Sequence, residues 1–367
     1  RSEAIVDIRD QGNTLTSDEE VRQLAGVEIG MPVGPSTIQE ITARLRAAKR
    51  FERVDVLKRF ASIADPTQVS LVIIVDEGPV HIEVSDEPGH PTRVVRNRGP
   101  GLLFLPIVDG EDGYGITYGA RIAWRDRVGA RSHLSFPLTW GGDKRAAVEF
   151  NKKVEHGLLE RVFAGASIAR RENPFFNADD SRRRVWLRGE KDVARFVRAG
   201  GSAGWQQASF LGARESFSHA GADITLDTRL DPILPRNALH ARVSIERLEL
   251  DVGSLNRTQL EGRGYIGLVG QTTLALRALR EDASRPLPLY LESLLGGTAN
   301  LRGFRTGTAA GDTLVSGSVE VVAPLTSPLR IARLGVSVFA DAGTVYREGE
   351  GLAGRSFRQG YGGSVWL

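Results

Sequence analysis

The sequence predicts a small α+β module at the N-terminus, followed by an all-β barrel that crosses a membrane with its strands. Two observations lead to this fold class. Both helical and strand periodicity occur in the first eighty residues, whereas polar and apolar residues alternate strictly after Gly110. In the alternating part, the polar faces are repeatedly charged and aromatic residues lie at strand ends, which is typical of a barrel with a wet interior.

The N-terminal module has the predicted order β-α-α-β-β. Ser17 can cap a first helix, and Glu20 three residues later completes the capping-box spacing. A second helix begins near Pro35 and carries one apolar stripe. Strands are predicted at Ala4–Ile8, Val54–Val56 and Val69–Val75. Such a mixture in so short a segment indicates a small α+β unit.

The remainder of the chain alternates in segments of about ten residues, the length that a tilted strand needs to cross the hydrocarbon layer. In the segment 116–124, Ile116, Tyr118 and Trp124 share one face while Thr117 and Arg121 share the other. Similar segments give about thirteen strands, ten before the glycine-rich stretch Ser293–Asp312 and three after it.

Alternation alone fits a soluble β-sandwich or a propeller equally well. The charged polar faces and the aromatic residues at strand ends favour the membrane barrel, whose outer face meets lipid. Closure of the sheet removes the unpaired edge that lipid would otherwise leave without hydrogen-bond partners.

Several classes of site are excluded by the residues present. The net charge of +3 is too small for a nucleic-acid partner, and the absence of cysteine excludes thiolate metal sites. Gly262–Gly267 matches the dinucleotide pattern G-x-G-x-x-G but lies inside a strand and opens no helix. The six histidines are scattered, and no G-x-S-x-G nucleophile occurs. We therefore predict no catalytic residue, no metal and no cofactor.

Three groups of residues occur together and in order, and they resemble the BamA/TamA family of outer-membrane β-barrels, also called the bacterial surface antigen family. The resemblance covers nearly the whole chain. The first group lies in the module and looks like one POTRA domain. The matching residues are Gly12-Asn13, Gly30-Met31-Pro32, Phe51 with Val54, and Val75-Asp76-Glu77-Gly78 in the module, then Leu301-Arg302-Gly303-Phe304 and Phe339-Ala340-Asp341-Ala342-Gly343.

The resemblance implies a division of the chain into residues 1–83 as a POTRA domain, 84–110 as linker and start of the barrel, and 111–367 as the outer-membrane barrel. Family barrels have sixteen strands, eleven before the long loop and five after it. The pattern here gives ten strands before the loop and three after it. Three explanations stay open: some strands escape the pattern, the barrel is shortened, or its closing hairpin lies outside this sequence.

In the family, the long loop folds back into the barrel so that its arginine pairs with acids on the wall. By position, Arg302 in the motif Leu301, Arg302, Gly303, Phe304 would pair with Asp341 and Glu320. On the alternation, Phe339, Asp341 and Gly343 share the polar face of their strand, and Ser318 and Glu320 share that of the preceding strand. The alternative is an exposed turn with a solvated arginine.

The resemblance implies a protein that inserts or translocates polypeptides at the bacterial outer membrane, with the POTRA domain in the periplasm, and not an enzyme. The implied partners are the lipid bilayer, unfolded outer-membrane or secreted polypeptides, and periplasmic or lipoprotein accessory subunits. An edge strand of the POTRA sheet would accept a client by backbone pairing: Arg53, Val54, Asp55, Val56, Leu57 and Lys58. A lateral seam would open beside a first wall strand that carries Gly115, Thr117, Gly119 and Arg121.

Two other functions stay open at this point. The chain resembles the translocator portion of patatin-type autotransported hydrolases, which carry one POTRA domain and an upstream enzyme. A passive pore or structural barrel, whose motifs only hold its plug, is the other alternative.

Overall fold

The computed structural model describes most of the chain. Within the range 84–110, predicted as linker and start of the barrel, residues 84–92 and 97–101 fall outside the described ranges, as do residues 77–79 at the end of the module motif. The described residues are 3–13, 16–48, 50–51, 53–61, 65–76, 80–83, 93–96, 102–125, 127–129, 131–154, 157–229, 235–329 and 332–366.

The N-terminal module is a four-stranded sheet with two helices. Its strand order is β2-β1-β4-β3, so that β3 forms one edge of the sheet. Strands β1 and β4 run parallel, and β3 pairs antiparallel with β4. The elements are β1 Glu3–Gln11, α1 Asp18–Ala25, β2 Pro32–Val33, α2 Thr37–Ala47, β3 Arg53–Phe60 and β4 Gln68–Asp76.

Both helices of the module are fixed by local chemistry and by burial of one face. The hydroxyl of Ser17 accepts a hydrogen bond from the backbone N–H of Glu20, and Gly26 ends α1 in the left-handed conformation. Ile41 and Leu45 of α2 are buried in a core that the module forms by itself. Among the described residues, no helix combines the length and the apolar character that a membrane crossing requires.

A short hairpin follows the module. Strand β5, Val80–Glu83, pairs antiparallel with β6, Arg93–Arg96, in a sheet of its own. Residues 80–83, which were predicted to belong to the module, therefore lie outside its four-stranded sheet.

The larger part of the chain forms, in its described residues, a sheet of fourteen strands in which each strand is antiparallel to its neighbours in the sheet. Of these described strands, eleven precede the long loop and three follow it. They are β7 Leu102–Glu111, β8 Gly115–Arg125, β9 Ser132–Gly141, β10 Asp143–Lys153, β11 Arg161–Asn173, β12 Ala178–Ala194, β13 Val197–Phe210, β14 Ala213–Asp227, β15 Ala238–Leu250, β16 Gly253–Gly267, β17 Thr273–Ala283, β20 Thr313–Leu329, β21 Ala332–Tyr346 and β22 Arg358–Trp366. Two short strands, β18 Ser293–Leu295 and β19 Ala309–Gly311, belong to the long loop.

The prediction that the wall begins at Gly115 is wrong, because β7 precedes β8 and pairs with it over ten residues. Strand β7 was missed because LLFLPIV is apolar on both faces and contains Pro106, which breaks the alternating pattern. Proline is tolerated at the edge of a sheet, where its missing N–H removes no ladder hydrogen bond. Gly115, Thr117, Gly119 and Arg121 accordingly lie on the second strand, and the predicted total of thirteen strands becomes fourteen.

Most strands of the large sheet have an apolar outer face and a polar inner one. Ile116, Trp140 and Val338 are exposed on the outside. Inside, arginines and carboxylates pair between strands, as Arg188 of β12 does with Asp223 of β14 at 2.6 Å across the intervening β13. The loop end of the barrel is the end at which the long loop joins β17 to β20. The module end is the opposite end, where Arg195 donates a hydrogen bond to the carbonyl of Pro35 in the module.

Candidate functional site

The long loop, residues 284–312, connects β17 to β20 and folds back on itself. It contains a hairpin of β18, Ser293–Leu295, and β19, Ala309–Gly311. Beyond β18 the backbone turns at Gly296 and Gly297, whose φ values of 114° and 77° are accessible to glycine at little cost. The N–H of Gly297 then donates to the carbonyl of Phe304 at 2.7 Å. This closed turn brings the predicted motif to the barrel wall.

Arg302 makes five hydrogen bonds to the inner wall. Its Nε and Nη2 donate to the two oxygens of Asp341 at 2.8 Å each, and its own backbone N–H donates to Asp341 at 2.9 Å. Nη1 donates to Glu320 at 2.7 Å, and Nη2 also reaches the hydroxyl of Ser318 at 2.9 Å. The guanidinium carbon lies 3.6 Å from the ring centroid of Phe339. Residues from β20 and β21 therefore surround this one side chain.

The arrangement suits arginine because a planar guanidinium can bind a carboxylate through two parallel hydrogen bonds and stays charged. The Asp341 side chain is 3% exposed and that of Arg302 is 22% exposed. Removal of a carboxylate from water is costly, so Asp341 depends on the donors that Arg302 supplies. The pair fixes where the loop lies more than it adds to net stability.

Apolar contacts beside Arg302 seat the loop on the same part of the wall. Leu301 is fully buried and packs with Leu279 of β17, Leu295 of β18 and Leu314 of β20. Phe304 packs against this cluster from the other side of the motif. The motif thus combines an ionic contact from Arg302 with a hydrophobic one from its two flanking apolar residues.

Glycines on the wall allow the loop backbone to come close. A Cβ at Gly360 of β22 would lie 2.0 Å from the carbonyl oxygen of Arg302, which is far inside van der Waals contact. A Cβ at Gly362 would lie 2.7 Å from the ring of Phe339. The predicted wall residue Gly343 accommodates Leu295, whose Cδ1 would be 2.9 Å from an added Cβ. Gly303 itself has a φ of +85°.

A second contact holds the loop to the opposite wall. The phenol of Tyr290 donates to Glu215 of β14 at 2.7 Å, and Arg182 of β12 donates to the carbonyl of Tyr290 at 2.6 Å. Burial, reinforced by the Glu215 carboxylate, raises the pKa of Tyr290, so that its hydroxyl remains a donor. Tyr290 bonds to β12 and β14, whereas Arg302 bonds to β20 and β21. The loop therefore spans the mouth of the barrel.

The two ends of the loop are joined by Asp312. Its carboxylate, on a residue that is 1% exposed, accepts from the N–H of Leu287 at 2.7 Å and from that of Glu348 at 2.9 Å. Arg347 forms an ion pair with Glu292 in the same region. The start of the long loop, its end and the β21–β22 connection therefore meet at one carboxylate.

The predicted client-binding residues lie on β3 at the edge of the module sheet. Val54 and Val56 point into the core, whereas Arg53 and Asp55 pair with each other at 2.6 Å on the other face. Lys58 pairs with Glu3 of β1. Only β4 pairs with β3 among the described residues.

The predicted seam residues are part of the continuous wall. The hydroxyl of Thr117 accepts from the N–H of Asp143 at 2.9 Å, and Arg121 lies 3.5 Å from Glu149. Within the described ranges, the two ends of the large sheet are instead β7, which pairs with β8, and β22, which pairs with β21. The first strand of the candidate seam is therefore β7 and not β8.

Two cavities occupy the lumen on either side of the loop segment Thr298–Asn300. One has a volume of about 320 Å³ and is lined by Arg302, Glu320 and Asp341, among others. The other, of about 290 Å³, lies beside Tyr290 and Arg182. In the described part of the chain, no three His, Cys, Asp or Glu side chains come together in a way that could hold a metal ion.

The sequence comparisons agree with this architecture. A profile of the Omp85 superfamily domain matches residues 117–367, which is more than half of the chain. The chain belongs to the Omp85 superfamily. A search of curated protein sequences gave no match to this Omp85 chain. The predicted resemblance to BamA/TamA-type barrels is confirmed, and Omp85 barrels are outer-membrane proteins.

Solved structures with the same fold have diverged far in sequence from this Omp85 chain. BamA from Haemophilus ducreyi, in a form lacking POTRA domains 1-3, matches with a TM-score of 0.60 and 15% identity, over 95% of this chain and 73% of that one. CdiB from Acinetobacter baumannii matches with a TM-score of 0.53 and 12% identity, over 100% of this chain and 84% of that one. The predicted fold class, a small α+β module followed by a β-barrel, is confirmed.

Sequence reasoning missed several residues of this site. Tyr290, Glu215 and Asp312 carry no local signal, because their partners lie far away along the chain. Gly360 stands in a glycine-rich segment, but nothing in that segment indicates that the Arg302 carbonyl lies above it. Ser318 was placed from the sequence on the polar face of Glu320, but its hydrogen bond to Arg302 was not predicted.

Proposed function

We propose that this Omp85 barrel inserts polypeptides into the outer membrane at a seam beside β7. One observation carries the proposal: β7 is the first strand of the large sheet, and β8 is its one pairing partner among the described residues. An end strand offers a row of backbone N–H and C=O groups to an incoming strand. In lipid these groups have no other partner, so pairing with a client strand is strongly favourable.

The long loop supports this proposal because it fills the mouth of the barrel. Arg302 holds it to β20 and β21, next to β22, and Tyr290 holds it to the opposite wall. An incoming strand can then form hydrogen bonds with β7 while the long loop still occupies the lumen. No nucleotide is needed, because pairing and burial in lipid supply the free energy.

The N-terminal module is the proposed receiving site for clients. Strand β3 is an edge strand, so an extended polypeptide can add to it through backbone hydrogen bonds. We place this module in the periplasm, where unfolded outer-membrane polypeptides and accessory subunits would meet it.

Reconstitution tests the proposal. The purified chain is incorporated into liposomes, an unfolded porin is added, and folded, protease-resistant porin in the membrane is measured over time. Liposomes that contain an unrelated outer-membrane barrel at equal density serve as the control. We expect porin to fold faster with this chain, and equal rates in the two preparations would contradict insertion.

Translocation of a polypeptide through the lumen is a second candidate. The two cavities on either side of Thr298–Asn300 favour it, because they leave space above and below a single loop segment. The same experiment separates the two: a translocated client is soluble inside the liposomes, whereas an inserted one remains with the membrane. A passive pore receives less support, because the loop spans the mouth.

A further inference from the structure

Three cations lie close together on the outer face of the barrel near the loop end, on the neighbouring strands β10, β11 and β12. They are Lys144, Arg170 and Arg183, and all three are exposed. Arg145 and Arg182, which adjoin two of them in the chain, bond to groups inside the barrel. Because successive side chains of a strand point to opposite faces, Lys144 and Arg183 point outward. We call the three residues the outer cation cluster.

The register of the strands puts like charges side by side in this cluster. Lys144 of β10 is directly opposite Arg170 of β11, and Arg183 of β12 is directly opposite Ile168, two residues before Arg170. Side chains directly opposite each other have Cβ atoms about 5 Å apart, and diagonal neighbours are about 7–8 Å apart. Like charges directly opposite each other destabilise a sheet, so an anion beside Lys144 and Arg170 would stabilise this one.

Carboxylates of the chain compensate only part of this positive charge. Asp179 forms an ion pair with Arg170, and it lies directly opposite Glu172, nearer the loop end. Within the described ranges, no carboxylate forms an ion pair with Lys144 or Arg183. Two cations of the cluster are therefore left without an anionic partner from the described part of the chain.

Two other exposed cations on the outer face near the loop end have carboxylates of their own. Arg247 of β15 pairs with Glu249 at 2.5 Å, and Arg280 of β17 pairs with Asp282 at 3.0 Å. Each acid lies two residues along the same strand and therefore on the same face. The shortage of carboxylates is thus a property of the outer cation cluster and not of every exposed arginine near the loop end.

Arg183 lies at the border of the apolar outer surface. Ile168, directly opposite on β11, and Val185, two residues along β12, are both exposed. Trp205 of β13, directly opposite Val185, is exposed as well, and tryptophan is enriched where the hydrocarbon layer meets the lipid headgroups. A long cationic side chain at that border lays its apolar stem along the hydrocarbon and extends its charge to the headgroups.

We infer that the outer cation cluster binds the phosphate group of an anionic lipid in the leaflet at the loop end. A phosphomonoester carries about −1.5 to −2 charges at neutral pH and three acceptor oxygens, so it suits a cluster with two unpaired cations. A lipid fits better than a protein partner because exposed apolar residues adjoin the cluster, where acyl chains would lie. The inference goes beyond polypeptide insertion and does not depend on it.

Native mass spectrometry of the purified chain in an uncharged detergent tests lipid binding. The probes are phosphatidic acid, which carries a phosphomonoester, and phosphatidylcholine, whose headgroup has no net charge. We expect the parent chain to bind phosphatidic acid about tenfold more tightly. Equal affinity for the two lipids would overturn the inference. Displacement of phosphatidic acid by inorganic phosphate at the same concentration would also overturn it, because the cluster would then be a site for free anions.

Two double variants with the same change in net charge locate the site. Lys144→Gln with Arg183→Gln removes the two unpaired cations, whereas Arg247→Gln with Arg280→Gln removes two cations that have their own acids. Each cation near an anionic lipid contributes about fivefold to affinity, so the first variant should bind phosphatidic acid about 20-fold more weakly. The second should bind it like the parent chain. Equal loss in both variants would reflect net charge alone and would contradict the inference.

Photo-crosslinking shows where the lipid lies, and the absence of cysteine allows a single benzophenone maleimide to be attached. Gln207→Cys places the probe on β13 directly opposite Arg183, and Leu239→Cys places it on the outer face near the module end. The labelled chains are incorporated into nanodiscs of phosphatidylcholine with a minor fraction of phosphatidic acid. We expect phosphatidic acid to be enriched among the lipids captured at Gln207→Cys alone. Equal capture at both positions, or no enrichment at either, would refute the site.

Discussion

The carboxylate of Asp341 receives three hydrogen bonds from Arg302, two from the guanidinium and one from the backbone N–H. The two residues are separated by 39 positions in the chain and belong to the long loop and to β21. Because the backbone takes part, the contact fixes the path of the loop as well as the side chain. The loop is therefore bound to the wall at a defined place.

Arg302→Ala should release the tip of the long loop and leave the barrel folded. The substitution leaves Asp341 buried without its cation, at a cost of about 3–5 kcal/mol. Arg302→Lys should release the tip of the loop almost as much, because one ammonium group cannot replace the planar guanidinium with its several donors. Limited proteolysis of the loop measures the release, and the gel shift between heated and unheated samples measures barrel folding.

Arg305→Ala is the matched control for these variants, because Arg305 is exposed three residues further along the same loop. In the Arg305→Ala variant, the protease should cleave the long loop at the same rate as in the parent chain. Equal protection of the Arg302→Ala loop and the Arg305→Ala loop would show that the ionic contact does not hold the tip.

Gly360→Ala should displace the loop although it changes no charge. Its methyl group would lie 2.0 Å from the Arg302 carbonyl oxygen, so the backbone of β22 or of the loop has to move. Gly264→Ala is the control, because an added Cβ there meets nothing within 4 Å. Faster cleavage of the loop in the first variant alone is the expected result, and identical cleavage in both would refute the close approach.

Asp312→Ala should loosen the base of the loop instead of its tip. It leaves the buried N–H of Leu287 and the half-buried N–H of Glu348 without their acceptor, and the loss at the buried N–H costs about 1–3 kcal/mol. Hydrogen exchange of these two amides measures the loss. Glu348→Ala removes an exposed side chain beside the same amide and should leave exchange unchanged, whereas equal exchange in both variants would argue against the role of Asp312.

A single cysteine on β3 should capture a client that carries one cysteine. Asp55→Cys places a thiol on the edge strand, where we propose that the client pairs, and Glu40→Cys places one on the exposed surface of α2. Disulfide yields with an unfolded porin are then compared. We expect a high yield for Asp55→Cys alone, and similar yields for both positions would count against edge-strand pairing.

The strands with regular alternation could be predicted from sequence, because side chains of a barrel wall meet lipid on one face and water on the other. Strand β7 could not be predicted in this way. It lies at the end of the sheet, so its faces do not divide cleanly between lipid and water, and Pro106 disturbs the alternating pattern further. The pattern therefore assigns residues 84–110 only to the linker and start of the barrel, and it places the first wall strand at Gly115, one strand late.

The ionic centre of the site was accessible from sequence because the resemblance of two motifs to the family implies that Arg302 pairs with acids on the wall. Alternation places Glu320 and Asp341 on the polar faces of two neighbouring strands. The contacts of Tyr290 and Gly360 were not accessible, since they depend on how far the loop reaches across the mouth. That distance follows from the tertiary packing of the loop and leaves no periodic trace in the sequence.

The most direct test of the account compares porin insertion by liposomes that contain the parent chain, Arg302→Ala or Arg305→Ala at equal density. The account predicts that Arg302→Ala loses insertion while it still migrates as a folded barrel, and that Arg305→Ala inserts porin at the parent rate. Insertion by Arg302→Ala at the parent rate would contradict it.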